Sequence, residues 1–148
     1  MIFYKILKHA HSGFRWLLLL FLLIIIVNAL VKWMKQGVFN KTDGRLNVIV
    51  MSLAHLQLVI GLILYFISPK VIFETSSFNE PFYRFFLIEH LVLMIISIAL
   101  ITIGSVSAKR AETSPLKFKR TFFFHLIALV LILFAIPWPF QSYGTTWF

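Results

Sequence analysis

The chain of 148 residues is 60% hydrophobic, contains no cysteine and carries a formal charge of +9. A soluble domain has about 45–50% apolar residues, so this excess favours a protein that is surrounded by a lipid bilayer. The absence of cysteine excludes disulfides, iron–sulfur clusters and thiolate metal sites, and leaves histidine as the strongest metal ligand. The basic residues are concentrated in short stretches between apolar runs, which indicates membrane topology and not a nucleic-acid-binding face.

Four apolar segments in the sequence predict four transmembrane helices. They lie at about residues 10–33, 46–67, 82–106 and 120–138, and each is close to the roughly 20 residues that cross a bilayer. Because short connections join them, each helix is expected to run antiparallel to the one before it. The sequence therefore predicts one domain over residues 1–148, an all-α integral membrane protein with an up-down-up-down four-helix bundle.

Lysine and arginine are distributed unequally between the two ends of this bundle. Five of the 14 lie on the side of the termini and the second connection, and nine lie in and around the first and third connections. Since basic residues accumulate on the cytoplasmic side of a membrane, the asymmetry predicts a multi-pass protein of the bacterial inner membrane with both termini in the periplasm.

Each predicted helix contains one histidine, and an ionisable residue inside a membrane is a functional-site hypothesis by default. These are His11, His55, His90 and His125. With a rise of about 1.5 Å per residue, His55 and His125 lie at similar depths in the cytoplasmic half, whereas His90 and His11 lie in the outer half. We therefore predict that His55 pairs with His125 and that His11 pairs with His90. His9 is left out, since it lies about 200° from His11 around the helix.

Each predicted pair joins two diagonally opposite helices, so a flat cofactor between the two histidines would fill the bundle core. Haem b matches this arrangement because its iron accepts two histidine axial ligands and needs no cysteine. We predict one haem on His55 and His125 and a second on His11 and His90. A zinc or copper site is one alternative, although zinc requires three or four ligands at one depth. Simple hydrogen bonds between helices are the other.

Other polar and small residues of the apolar segments are assigned roles by position. Arg15 follows His11 by one helical turn and shares its face, so we predict that it binds the haem propionates; snorkelling to the lipid head groups is its alternative role. Glu89 is expected to pair with Arg15 or Arg84, or to take part in proton transfer. Interhelical hydrogen bonds are expected of Asn28, Gln57 and Ser97, and close helix contacts of Gly13, Gly61 and Gly104.

The pairing of His11 with His90 depends on where the first helix begins. A start near Ala10 leaves His11 about 9 Å closer to the membrane surface than His90. A start near Phe3 removes this difference, provided that the connection at 69–81 and the aromatic C-terminal tail cover the first turns. The apolar residues expected to be buried there are Ile2, Phe3, Ile6 and Leu7.

Several of these stretches resemble a known group of proteins. The motif HSGFRW at 11–16, the segment HLQLVIGLILYF at 55–66, Glu89 followed by His90, and the IPWP ending resemble small four-helix membrane proteins labelled "cytochrome B" in Bacteroidetes-type bacteria. The second helix and the glutamate–histidine pair are also distantly similar to one half of haem A synthase, a four-helix haem-binding bundle. The first resemblance implies haem b. The second implies haem modification, although the tandem duplication of that family is missing here.

These observations predict a membrane haem-b protein that transfers electrons within or across the bilayer, as in a respiratory chain. Other membrane redox proteins or quinone are its expected partners, besides the lipid bilayer, and nucleic acid is not. One alternative is a non-catalytic accessory subunit of a respiratory or other membrane complex. Another is a quinone-reactive or haem-modifying enzyme.

Overall fold

A computed structural model describes residues 2–141, and four long helices account for most of them. We number these helices α1, Ile2–Met34; α2, Lys41–Ile67; α3, Pro81–Arg110; and α4, Ser114–Ala135. A short 3-10 helix, Thr75–Phe78, lies in the connection between α2 and α3, and no strand occurs between residues 2 and 141. The predicted all-α fold with four helices is confirmed.

All four helices are long enough and apolar enough to cross a membrane. Their outward faces carry large apolar side chains, among them Leu20, Val27, Val59 and Ile127, which are 54%, 53%, 55% and 49% exposed. An apolar surface of this extent is costly in water and is matched by lipid. The chain is therefore a multi-pass membrane protein.

The four helices form a bundle in which each packs against two others. Helix α1 packs against α2 and α4, and α3 packs against the same two helices, so α1 lies diagonally opposite α3. The core between them contains a cluster of apolar side chains, in which Leu22, Val50, Ile101 and Ala128 have no exposed surface. This arrangement is the one that the predicted diagonal pairs of histidines require.

The first turn of α1 lies beside the end of α2. The hydroxyl groups of Tyr4 and Ser68 are 3.5 Å apart. We call this end, where α1 begins and α2 finishes, the N-terminal end of the bundle, and the other the opposite end. Since α1 has 33 residues, well over the roughly 20 that cross a bilayer, its first turns reach beyond the hydrocarbon layer.

Helix α1 begins eight residues before the predicted start at Ala10. Its first apolar residues are not buried as predicted, because Ile2, Phe3 and Ile6 are 77%, 60% and 61% exposed, while Leu7 is half-buried. The C-terminal tail that was expected to cover them lies outside the described residues. A helix segment at the membrane interface can bury apolar side chains among the lipid head groups and acyl chains, so no protein contact is needed to keep them from water.

The opposite end of the bundle is closed around a buried carboxylate, Asp43, which is 3% exposed. Its Oδ1 accepts hydrogen bonds from Lys32 at 2.7 Å and from Asn28 at 2.8 Å, which confirms the predicted interhelical role of Asn28. Asp43 and Asn40 also form a capping box, in which each side chain accepts from the other's backbone N–H. This cap explains why α2 begins at Lys41 and not at Leu46.

One proline lies in the first turn of helix α4 and another follows its end. Pro115 occupies the first turn, where its missing N–H is harmless, so α4 begins at Ser114 and not at 120. Pro137 cannot continue the helix, because the carbonyl of Leu133 would have no N–H partner. That carbonyl instead accepts a hydrogen bond of 2.9 Å from the indole of Trp138.

Small residues decide how closely α3 approaches α4. A Cβ atom added at Gly104 would lie 2.5 Å from Cβ of Phe124, so only glycine permits this helix contact. The same role predicted for Gly13 is wrong, since a Cβ there would meet nothing within 4 Å. Ser97 also differs from the prediction, because its hydroxyl donates to the carbonyl of Leu93 in its own helix.

Candidate functional site

The imidazole rings of His11 and His90 face each other across the N-terminal half of the bundle. Their centroids are 6.4 Å apart and their planes meet at 67°. Both rings line a deep opening, which we call the histidine cleft, with an empty volume of about 1220 Å³ including the part open to the surroundings. It is lined by Tyr4, Lys8, Ser68 and Lys70 at the N-terminal end of the bundle, which we call its mouth, and by Leu18, Ile98 and Ile132 toward the bundle centre, which we call its floor.

A π-helical turn, Phe85–Glu89, places His90 in the cleft. The backbone N–H of His90 donates to the carbonyl of Phe85, five residues earlier, so the helix holds one extra residue just before the histidine. Turns of this kind occur frequently at functional sites, because they reorient one side chain without breaking the helix. No sequence periodicity announces such a turn, and its effect on the direction of His90 was not predicted.

The side chain of His90 is fixed by a hydrogen bond of 2.8 Å between its Nδ1 and the carbonyl oxygen of Ala135. A carbonyl only accepts, so we assign the proton to Nδ1. The lone pair of the neutral ring then lies on Nε2. Metal-binding histidines are typically held in this way, with the second ring nitrogen donating to a carbonyl or carboxylate.

Two residues of α2 hold His11. The side-chain amide of Gln57 donates to the His11 carbonyl at 2.7 Å, which confirms the predicted interhelical bond. Gly61 lies against the ring, where an added Cβ would be only 3.1 Å from Cε1 of His11. The buried Nδ1 of His11 has no hydrogen-bond partner among the described residues. An unpartnered buried nitrogen costs stability, and a bound ligand is one means of satisfying it.

The charged residues predicted near this pair are divided between the cleft and the surface. Arg15 lines the histidine cleft together with His11, and its guanidinium carbon lies 5.1 Å from the ring centroid of Trp16. Glu89 forms an ion pair of 2.8 Å with Arg84, and both side chains are more than 40% exposed. Of the two partners predicted for Glu89, the structure therefore selects Arg84.

His125 lies in the α3–α4 contact and has no exposed surface. Its Nδ1 is 2.8 Å from the carbonyl of Thr121 and its Nε2 is 3.4 Å from the hydroxyl of Ser105. By the same reasoning Nδ1 donates and Nε2 accepts, so both ring nitrogens are used inside the protein. No nitrogen is left for an iron ligand without breaking one of these bonds.

His55 lies on the exposed surface of α2, in contact with α3. Its Nε2 is 3.2 Å from the hydroxyl of Thr102, which itself donates to the carbonyl of Ile98 at 2.8 Å. Because that hydroxyl has one hydrogen, Nε2 of His55 must be the donor. The ring therefore lies against α3 at the lipid-facing surface.

The predicted site on His55 and His125 does not fit these contacts. No ring contact between them occurs in the described part of the chain, whereas one joins His11 to His90. Both pairs are predicted from the depths of the histidines in the membrane. Depth does not determine how a helix is rotated about its own axis. The rotation of α2 turns His55 outward, while His125 points into the protein.

The mouth of the histidine cleft is basic. Lys8 and Lys70 both line it, and the ammonium of Lys70 lies 4.7 Å from the ring centroid of Phe86. Burial lowers the pKa of Lys70, and the nearby charge of Lys8 lowers it further. Neither lysine is marked by a sequence pattern, since Lys8 lies in a short basic segment and Lys70 is the single basic residue of the connection at 69–81.

Comparison with models of known protein families, with characterised proteins and with solved structures gave no match. Between residues 2 and 141 no cluster of three or more histidine and acidic side chains is suited to a metal ion. The candidate site therefore rests on the geometry of the histidine cleft, which offers two imidazoles, an apolar interior and a basic mouth.

Proposed function

We propose that this chain is a membrane haem-b protein that transfers electrons within or across the bilayer, with one haem held between His11 and His90. The observation that carries the proposal is the separation of the two rings. Two imidazoles on opposite sides of one metal ion, each bonded at about 2 Å, have ring centroids about 6 Å apart. The 6.4 Å between His11 and His90 agrees with that spacing.

The surroundings of the two rings support haem over a bare metal ion. The histidine cleft supplies two imidazoles, whereas zinc takes four ligands, of which at least three come from the protein and the fourth is a protein group or water. A porphyrin supplies the four remaining ligands to iron and needs an apolar cavity, which Leu58, Leu62, Met94 and Ile98 provide. The unpartnered Nδ1 of His11 and the free Nε2 assigned to His90 are consistent with such a guest.

The protein side chains would each have a defined task in this function. His11 and His90 would ligate the iron, Ala135 and Gly61 would keep the two rings in place, and the apolar walls would exclude water. When bound, haem supplies one-electron redox chemistry, and the protein supplies ligands, burial and orientation. A quinone or another membrane redox protein is the proposed partner, since both reach a site inside the bilayer.

The proposed location is the bacterial inner membrane, with the N-terminal end of the bundle in the periplasm. Basic residues support it, because they are concentrated in the connections at the opposite end. The resemblance to small "cytochrome B" proteins agrees with haem b as the cofactor.

The test is the optical spectrum and haem content of the protein purified from haem-replete cells. A reduced α band typical of b-type haem is expected, with one haem per chain by pyridine haemochrome. His11→Ala and His90→Ala should each remove it. The matched control is His9→Ala, because His9 is exposed and does not line the cleft. A chain that purifies without haem and shows no Soret shift on adding haemin would contradict the proposal and favour an accessory subunit.

A further inference from the structure

Two lysines converge at the mouth of the histidine cleft from different helices. Lys8 belongs to α1, and Lys70 follows the end of α2 by three residues. The contact between Tyr4 and Ser68 brings these two segments together. Both lysines are half-buried, and for Lys70 this burial partly withdraws the ammonium group from water.

No carboxylate between residues 2 and 141 compensates this charge. The ion pairs in the described part of the chain join Lys32 to Asp43 and Arg84 to Glu89. The ammonium of Lys70 instead lies over the rings of Phe86 and Phe82, at 4.7 and 5.8 Å. Two neighbouring, half-buried lysines without an acidic partner favour an anionic ligand between them.

The depth of these lysines matches the polar edge of an amphipathic ligand. Lys8 lies three residues from His11 toward the N-terminal end, which is about 4.5 Å along the helix. Arg15 lies four residues in the other direction, about 6 Å deeper in the bundle. The acidic groups of a haem bound with its polar edge toward the membrane surface would therefore meet Lys8 and Lys70 before they meet Arg15.

We infer that Lys8 and Lys70 bind the carboxylates of the ligand in the histidine cleft. This inference rests on the proposed function, and it reassigns the propionate-binding role predicted for Arg15. The lysines form charge-assisted hydrogen bonds with the acid groups at the mouth, while the flat apolar body lies between His11 and His90.

The experiment compares two ligands that differ only in their acid groups. Wild-type protein in phosphatidylcholine nanodiscs is titrated with haemin and with haemin dimethyl ester, and the Soret shift reports binding. The diacid should bind about tenfold more tightly, as expected for one charge-assisted hydrogen bond. Lys8→Met and Lys70→Met should each weaken binding of the diacid and leave binding of the diester unchanged. Lys35→Met, one residue beyond the other end of α1, is the matched control.

The outcomes separate this inference from the proposed function. Diester binding at wild-type affinity shows that each variant is folded. Both porphyrins could bind while the lysine substitutions weaken binding of the two equally or leave both unchanged. In either case the inference is wrong and the proposed haem site stands. If neither porphyrin binds the wild type, the proposed function fails and the inference fails with it.

Phospholipid phosphate is the competing source of the same anionic chemistry. Nanodiscs that contain phosphatidylglycerol test it. If native mass spectrometry shows a phosphatidylglycerol retained by the wild type and lost in Lys70→Met, while the porphyrin preference is unchanged, the lysines serve a lipid head group and the inference is overturned.

Discussion

The carbonyl oxygen of Ala135, the last residue of α4, lies 2.8 Å from Nδ1 of His90 on α3. In a continuing helix this carbonyl would accept the N–H of residue 139, but Pro139 has none. The proline therefore leaves an acceptor unused by the backbone at the depth where His90 needs one. A sequence feature that ends one helix thus orients a side chain of its neighbour.

This relationship predicts a change in reduction potential when α4 is allowed to continue. In the double variant Pro137→Ala, Pro139→Ala, the backbone can take the Ala135 carbonyl from His90. A hydrogen bond from Nδ1 makes the imidazole a more basic ligand and stabilises oxidised iron, so its loss should raise the midpoint potential of the proposed haem. Potentiometric titration measures the change. Pro115→Ala, at the start of α4, should leave the potential unaltered, and an equal rise there would contradict this explanation.

Gly61→Ala should weaken haem binding without unfolding the protein. The new Cβ lies 3.1 Å from Cε1 of His11, so the ring must shift by a few tenths of an ångström away from its position opposite His90. We expect a lower haem content and a displaced Soret maximum. Gly13→Ala makes the same chemical change where nothing lies within 4 Å, and it should behave as wild type.

The variants His125→Ala and His55→Ala should differ in the stability of the protein but have the same haem content. His125→Ala removes a fully buried ring and leaves Ser105 unpartnered, at a cost of about 2–4 kcal/mol in the free energy of unfolding. His55→Ala, at an exposed position, should change it by less than about 0.5 kcal/mol. Thermal unfolding in detergent and pyridine haemochrome measure the two effects. Loss of a second haem in both variants would restore the site predicted from the sequence.

The sequence was sufficient for the number and order of the helices, because long apolar runs and short connections leave few other arrangements in a bilayer. It was not sufficient for the direction of each side chain around its helix. In a soluble protein the polar face shows which side is outside, but lipid accepts Leu20 or Val59 as readily as the core accepts Leu22. His55 could therefore be placed at a depth, and its outward direction had no sequence signal.

Of the two features that bring His11 opposite His90, the sequence was sufficient to predict one. A helix that begins before residue 10 brings His11 toward the depth of His90, and α1 does begin at Ile2. The second feature is the orientation of the His90 ring, which depends on the π-helical turn before it and on the carbonyl of Ala135. The turn is a local departure from the regular helix and the carbonyl belongs to a neighbouring helix, so a periodic pattern along one helix contains neither.

The effects of substituting Lys32 and Asp43 on the free energy of unfolding should not be additive. Asp43→Asn leaves the Lys32 ammonium without its carboxylate, but Lys32 is 30% exposed and partly solvated, so we expect a loss of about 1–3 kcal/mol. In the double variant with Lys32→Met no unpaired charge remains, and part of the loss should be recovered. Unfolding of the two single variants and the double variant gives the coupling. Strictly additive losses would show that the pair contributes no mutual stabilisation.

The proposed topology is testable because the natural chain has no cysteine. Single cysteines at Val38 and Glu112 replace exposed residues at the opposite end, and one at Ser76 replaces an exposed residue at the N-terminal end. In intact cells an impermeant thiol reagent should label the Ser76→Cys variant and spare the other two until the membrane is opened. The reverse pattern would place the N-terminal end in the cytoplasm. Thr145, another candidate position, lies outside the described residues.

The histidine cleft is lined by Leu18, Ile98 and Ile132 toward the bundle centre and by Lys8 and Lys70 at its mouth. A guest that enters by this mouth approaches from a single leaflet, which in the proposed topology is the outer one. Haem made in the cytoplasm would then have to cross the membrane before it is inserted. Maturation of the protein would depend on haem export, and a cell unable to move haem outward would accumulate the folded bundle without its cofactor.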